Sequence, residues 1–129
     1  MKAAVIHEHG GPGSISIDND FPDPKPEAND VIVKVGATSL NYHDIFTRNG
    51  MPGIKIDMPM ICGLDVAGEI AELGSDVTEW SVGDRVLIDP RNRVEGGLVG
   101  ETIHGGLAEF CRAPDHQLVR IPDDVSFAQ

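Results

Sequence analysis

MICGLDVAGEI, residues 60–70, is the stretch on which the reading of this chain turns. Two glycines, Gly63 and Gly68, bracket Asp65, and Cys62 stands just before the first of them. Three readings compete: a phosphate loop, half of a metal site, or a tight strand with packing glycines. The phosphate loop fails on its neighbours. Such a loop carries Lys and then Ser or Thr after its last glycine, because the ammonium must reach the phosphates. Here Gly68 is followed by Glu69, which repels them. The glycine triple of a strand-to-helix dinucleotide turn is missing throughout the chain.

The metal reading offers His43, Cys62, Asp65, His104, Cys111 and His116 as candidate ligands. No Cys-x-x-Cys or His-x-x-x-His pair occurs among them, whereas structural zinc takes four closely spaced N or S ligands and catalytic zinc takes three. Cys62 and Cys111 then read as small buried hydrophobes. Asp65, set among apolar residues, is either exposed on an outer face or held by a partner such as Arg48 or Arg85, since burying it unpaired is costly.

That leaves the strand reading, and the flanking sequence agrees with it. VIVKVGATSL puts Val31, Val33 and Val35 on one face. KAAVI, SISID and RVLI are further short strands, and two more flank the Pro114-Asp115 turn. FPDPKPEAND carries prolines 22, 24 and 26 and is an extended surface connection, because proline has no N–H for a sheet ladder. NYHDIFTRNG predicts one short helix of about one and a half turns, closed by Asn49-Gly50, with Ile45 and Phe46 on its apolar side. Short strands with frequent turns predict a mainly β fold with short helices, a barrel or a sandwich. Asn41-Tyr42-His43-Asp44, at the strand-to-helix junction, is dense in polar groups: a carboxamide, a hydroxyl, a titratable ring and a carboxylate. Asn41 or Asp44 is equally able to serve as a plain helix cap.

The bulk properties narrow the function. The chain has 129 residues, enough for one domain with a real core, and its composition is that of an ordinary globular protein. Net charge is −11, from 10 basic and 21 acidic residues, and such a field repels nucleic acid. Aromatic residues make up 5%, too few for a base-stacking platform. No apolar run reaches the roughly 20 residues of a membrane helix. The start MKAAVIHEHGG turns polar too early for a signal peptide, so the expected compartment is the cytoplasm.

Taken in order, MKAAVIHEHGGP, DVIVKVGATSLNYHD, PMICGLDVAGEIAELGSDVTEWSVGDRV, GGLAEF and LVRIPDDVSFAQ make the chain resemble the GroES-like catalytic domain of the medium-chain dehydrogenases/reductases, the superfamily of alcohol dehydrogenases and quinone oxidoreductases. The resemblance covers residues 1–129 and implies a GroES-like β-barrel domain, with a Rossmann nucleotide-binding domain lying outside this chain. In zinc-dependent members, the positions matching Asn41, Leu64 and Asp65 read Cys, His and Glu. An alkyl chain and a neutral amide are poor zinc ligands. The segment RNRVEGGLVGETIHGG, at the place of the structural-zinc lobe, contains no Cys.

The resemblance therefore implies a zinc-free branch. A complete enzyme of that kind moves hydride from NADPH to a quinone, an enone or a related small-molecule substrate, and no metal is expected. Asn41 and Tyr42 are the implied catalytic residues. Asn41, Leu64 and Asp65 are the implied cofactor-binding ones. A homodimer is compatible with the family. Two alternatives stand beside this reading: a zinc alcohol dehydrogenase using atypical ligands such as His43 and Cys62, and a non-catalytic GroES-like module.

Overall fold

Alternating valines make β3 (Asp30–Ser39) the spine of the molecule, with Val31 and Val33 fully buried. The computed structural model describes Met1–Gln129. Before β3 come β1 (Ala3–Ile6) and β2 (Ile15–Asp18); after it come α1 (Tyr42–Asn49), β4 (Met60–Ile61), β5 (Asp65–Leu73), β6 (Arg85–Ile88), β7 (Phe110–Pro114) and β8 (Leu118–Arg120). The strands form a five-stranded sheet in the order β7-β3-β5-β6-β8 and a three-stranded sheet in the order β2-β1-β4. All pairings are antiparallel. The mainly β expectation holds, and the proline-rich segment 22–26 carries no strand.

The segment GGLAE, residues 105–109, joins the two sheets. Leu107 donates its N–H to Cys62 O at 2.9 Å and accepts the Ala4 N–H at 2.8 Å. Glu109 donates to Lys2 O and accepts from Val35 N–H, so one short run bonds both sheets. The main core is a cluster of 11 buried residues drawn mostly from the larger sheet, among them Val31, Val33, Val66, Ile70, Val86 and Ile88. Each such side chain contributes roughly 1.5–3 kcal/mol when fully buried. Ala3, Val5 and Ile61 form a smaller cluster under the second sheet.

The glycines of residues 60–70 now have separate physical jobs. Gly63 sits at φ +101°, which L side chains avoid, and a Cβ there would lie 2.8 Å from the Leu107 nitrogen. Gly68 lies in β5, where β3 comes so close that a Cβ would stand 2.1 Å from Lys34 O. Opposite it, the β3 register shifts between Val35 and Ala37, leaving Gly36 as the extra residue of a bulge. The strand reading of this stretch holds.

One expectation is overturned. The inner side of α1 is not Ile45 and Phe46, which are 41% and 47% exposed; its buried residues are Asp44 and Thr47. The helix runs Tyr42–Asn49, longer than the turn and a half read from the sequence, and ends at Gly50 with φ +82°. Its first turn is anchored by hydrogen bonds to Asp44 rather than by apolar packing, so the apolar residues are left facing outward.

Candidate functional site

The site begins where β3 runs out. Ser39 ends the strand, and Asn41 takes an extended conformation (φ −113°, ψ 166°) as the N-cap of α1. Asn41 and Asp44 form a capping box, in which Asp44 Oδ2 accepts the Asn41 backbone N–H at 2.7 Å. Asp44 Oδ1 accepts the Gly63 N–H at 2.8 Å. A carboxylate only 4% exposed thus ties the start of α1 to the Cys62-Gly63 turn. Two charge-assisted bonds to backbone N–H groups compensate its burial.

Asp65 lies across from Asn41 at the start of β5. Its Oδ2 accepts Ser39 Oγ–H at 2.6 Å and Asn41 Nδ2–H at 2.8 Å. The sequence reading had offered Arg48 or Arg85 as its partner, and the structure corrects this. Arg48 donates to Gly10 O and Asn49 Oδ1, and Arg85 donates to the carbonyls of Pro122 and Val125. Ser39 and Asp65 are paired across β3 and β5, which brings a hydroxyl within reach before any arginine.

Asn41 and Tyr42 line an open groove of about 460 Å³ along α1, together with Ile15, Leu40, Ile45 and Cys62. Tyr42 is 82% exposed. Asp65 borders a second pocket of about 360 Å³ with Ser39, Leu87 and Phe127. Leu64 is half-buried and lines neither of these two. The structure therefore joins Asn41, Tyr42 and Asp65, and leaves Leu64 beside them as packing.

The candidate metal ligands are scattered. His43 Nε2 meets Glu101 Oε2 at 2.6 Å, His116 Nε2 meets Asn92 Oδ1 at 3.2 Å, and His104 Nδ1 faces the Ile61 N–H at 3.4 Å. Burial holds the His104 ring below its usual pKa, and the nearby Arg112 adds to this. Cys62 and Cys111 are both free and buried. Burial, then the Asp44 carboxylate, raises the Cys62 thiol to about 11, and burial raises Cys111 to about 12. Nowhere do three or more His, Cys, Asp or Glu side chains converge so as to hold a metal ion.

Sequence reasoning ranked Asp44 only as a possible cap and passed over Ser39 and Glu101. The Asn-x-x-Asp spacing of a capping box was a signal for Asp44. No local signal marks Ser39 or Glu101, because each meets its partner only through the fold.

Comparison with known proteins agrees with this geometry. Residues 27–123 match the family model described as the alcohol dehydrogenase GroES-like domain. A quinone oxidoreductase from Lama guanicoe is 34% identical over 127 residues, covering 98% of this chain and 35% of its own length. The chain thus spans about a third of the curated relatives it matches. Among solved structures, an NAD-dependent alcohol dehydrogenase superposes with a TM-score of 0.90 at 30% identity, over 98% of this chain and 41% of that one. The mycobacterial protein Rv1454c, solved in complex with NADPH, superposes with a TM-score of 0.79 at 31% identity, over 98% of this chain and 35% of that one. The family match, the two bonded sheets and the strand-to-helix site agree: the chain belongs to the alcohol dehydrogenase GroES-like domain family, the N-terminal domain of medium-chain dehydrogenases/reductases.

Proposed function

We propose that this chain is the catalytic-domain half of an NADPH-dependent oxidoreductase that passes hydride to a quinone, an enone or another carbonyl-conjugated small molecule without a metal. The observation that carries the reading is the Asn41–Asp65–Ser39 hydrogen-bonded cluster, set between an apolar groove and a second pocket; by resemblance, Asn41 and Asp65 match two ligand positions of zinc-dependent relatives. Similarity to quinone oxidoreductases and to a structure bound to NADPH supports it. The nucleotide-binding half belongs, on this reading, to a Rossmann domain outside residues 1–129.

The residues present suit such a ligand. A carboxamide has two N–H donors, and Asp65 engages one of those of Asn41. The other is free for a carbonyl oxygen of substrate or nicotinamide, and Asp65 fixes the plane in which it is offered. NADPH, when bound, supplies the hydride. As negative charge develops on the substrate oxygen, the Asn41 N–H stabilises it by ~3 kcal/mol, the worth of one well-placed donor. The Tyr42 hydroxyl, exposed at the groove, is placed to give the proton that completes the reduction. Asp65 is the orienting acceptor, and Leu64 packs beside the cluster without lining the groove.

The test is NADPH oxidation with quinones and enones, using the chain joined to a Rossmann domain, for the parent and Asn41→Ala. The variant is expected to lose about 100-fold in kcat, the usual effect of removing one such donor. A rate within about twofold of the parent makes Asn41 a cap and ends the proposal. Metal analysis of the purified protein is expected to find no stoichiometric zinc. Stoichiometric zinc would replace this reading with a zinc dehydrogenase of unusual ligands, and a chain that neither binds NADPH nor turns over would be a non-catalytic module.

A further inference from the structure

Residues 121–129 follow the last strand and fold back across the larger sheet, where Arg85 holds them. Its Nη1 donates to Pro122 O at 2.6 Å, its Nη2 donates to Val125 O, and its backbone carbonyl accepts the Ile121 N–H at 2.9 Å. The same guanidinium lies 4.6 Å from the centre of the Phe127 ring. One planar, always charged group therefore binds two carbonyls and a ring face at once, a combination an ammonium lacks.

On its other side the Phe127 ring fills the space that a side chain at Gly36 would need. A Cβ there would stand 2.5 Å from Phe127 Cδ2. The bulge in β3 and the end of the chain are matched in shape. Phe127, Ala128 and Gln129 thereby become one wall of the pocket whose polar end is Ser39 and Asp65.

We infer that Arg85 is a positioning residue: by clasping residues 122–127 it sets the pocket wall beside Asp65, and through Asp65 the orientation of the Asn41 carboxamide. The inference rests on the reading that Asn41 and Asp65 are the working end of the site, but its test needs no turnover. The link runs from Arg85 to Phe127, from Phe127 to Gly36, along β3 to Ser39, from Ser39 to Asp65, and from Asp65 to Asn41. Arg85 touches neither substrate groove itself.

The experiment is solution NMR and amide exchange on this 129-residue chain, comparing the parent with Arg85→Met, Arg85→Lys and Gly36→Ala. In Arg85→Met, amide exchange at residues 125–129 is expected to rise at least about tenfold, because the segment opens locally. The side-chain NH₂ resonances of Asn41 are expected to shift with it. Arg85→Lys should restore the charge but not the fork, and give an intermediate exchange rate. Gly36→Ala leaves Arg85 intact and displaces Phe127 from the opposite side, so it should move the same Asn41 resonances even if Arg85→Met fails to fold. Faster exchange at 125–129 with unmoved Asn41 resonances in both variants would reduce Arg85 to a structural clasp and overturn the inference. Unchanged exchange would overturn it outright. The expected exchange and Asn41 shifts, found together with full turnover by Asn41→Ala, would instead count against the functional reading alone.

Discussion

Asp44 shows how one side chain serves both structure and site. It is the sole acceptor for the backbone N–H groups of Asn41 and Gly63, both drawn toward the protein interior. Asp44→Ala leaves these donors without partners, and the expected cost is about 2–4 kcal/mol, measured by urea unfolding. Asp44→Asn keeps one acceptor oxygen and should lose less. The cysteines give a second expectation at this scale. With Cys62 raised to about 11 and Cys111 to about 12, neither should be alkylated by iodoacetamide at pH 8 in the folded chain. A thiol whose folded pKa exceeds its unfolded value of 9.0 contributes stability below pH 9 that is lost as pH rises through the folded pKa. Unfolding free energy should therefore fall between about pH 9 and 11, and Cys62→Ala should flatten part of that fall.

Among the elements, β5 is the one least tolerant of change. Its Gly68 faces Lys34 O at a separation with no room for a methyl group, and both atoms belong to backbone. Gly68→Ala must push β3 and β5 apart at the bulge, and is expected to cost roughly 3 kcal/mol or to prevent folding, as read from thermal melts. The β6–β8 edge depends on charge instead. Arg120 forks onto Asp84 at 2.9 and 3.2 Å and lies 4.9 Å from the Trp80 ring centre. The Arg120 hydrogen bond holds the Asp84 carboxyl below its usual pKa, so its contribution is present above pH 3.8 and disappears as pH falls through the folded value. Asp84→Asn should be less stable than the parent at pH 6, and the difference should shrink as pH falls below 3.8, with the midpoint of urea unfolding as the readout.

For the whole molecule, charge and exposed apolar surface set the behaviour. A net charge of −11 on 129 residues makes self-repulsion a general destabilising force, screened beyond about 10 Å at 0.1 M salt. Raising sodium chloride from about 10 to 150 mM should raise the melting temperature, and a flat or falling response would contradict this. Leu40, Tyr42 and Ile45 expose apolar surface at the candidate groove, and Phe46 is exposed on the same helix. No helix is long and apolar enough to cross a membrane.

The strands were legible because their information is local. Val31, Val33 and Val35 alternate, Gly63 precedes β5 and Gly68 lies within it, and prolines 22, 24 and 26 forbid a ladder, so pattern alone placed most elements. The order of motifs likewise carried the family. The orientation of α1 was not legible, because apolar residues in a short helix are expected to face inward, whereas here two backbone N–H groups draw Asp44 in and turn Ile45 and Phe46 out. For Asp65 the sequence leaves two alternatives, exposure on an outer face or a partner such as Arg48 or Arg85. The register of β3 against β5 placed a hydroxyl and a carboxamide within 2.8 Å of it instead. Residue types and their spacing determine which groups are available to a site; which of them meet is decided by long-range pairing, where Ser39 and Asp65, 26 residues apart in the chain, share a hydrogen bond that no local pattern encodes.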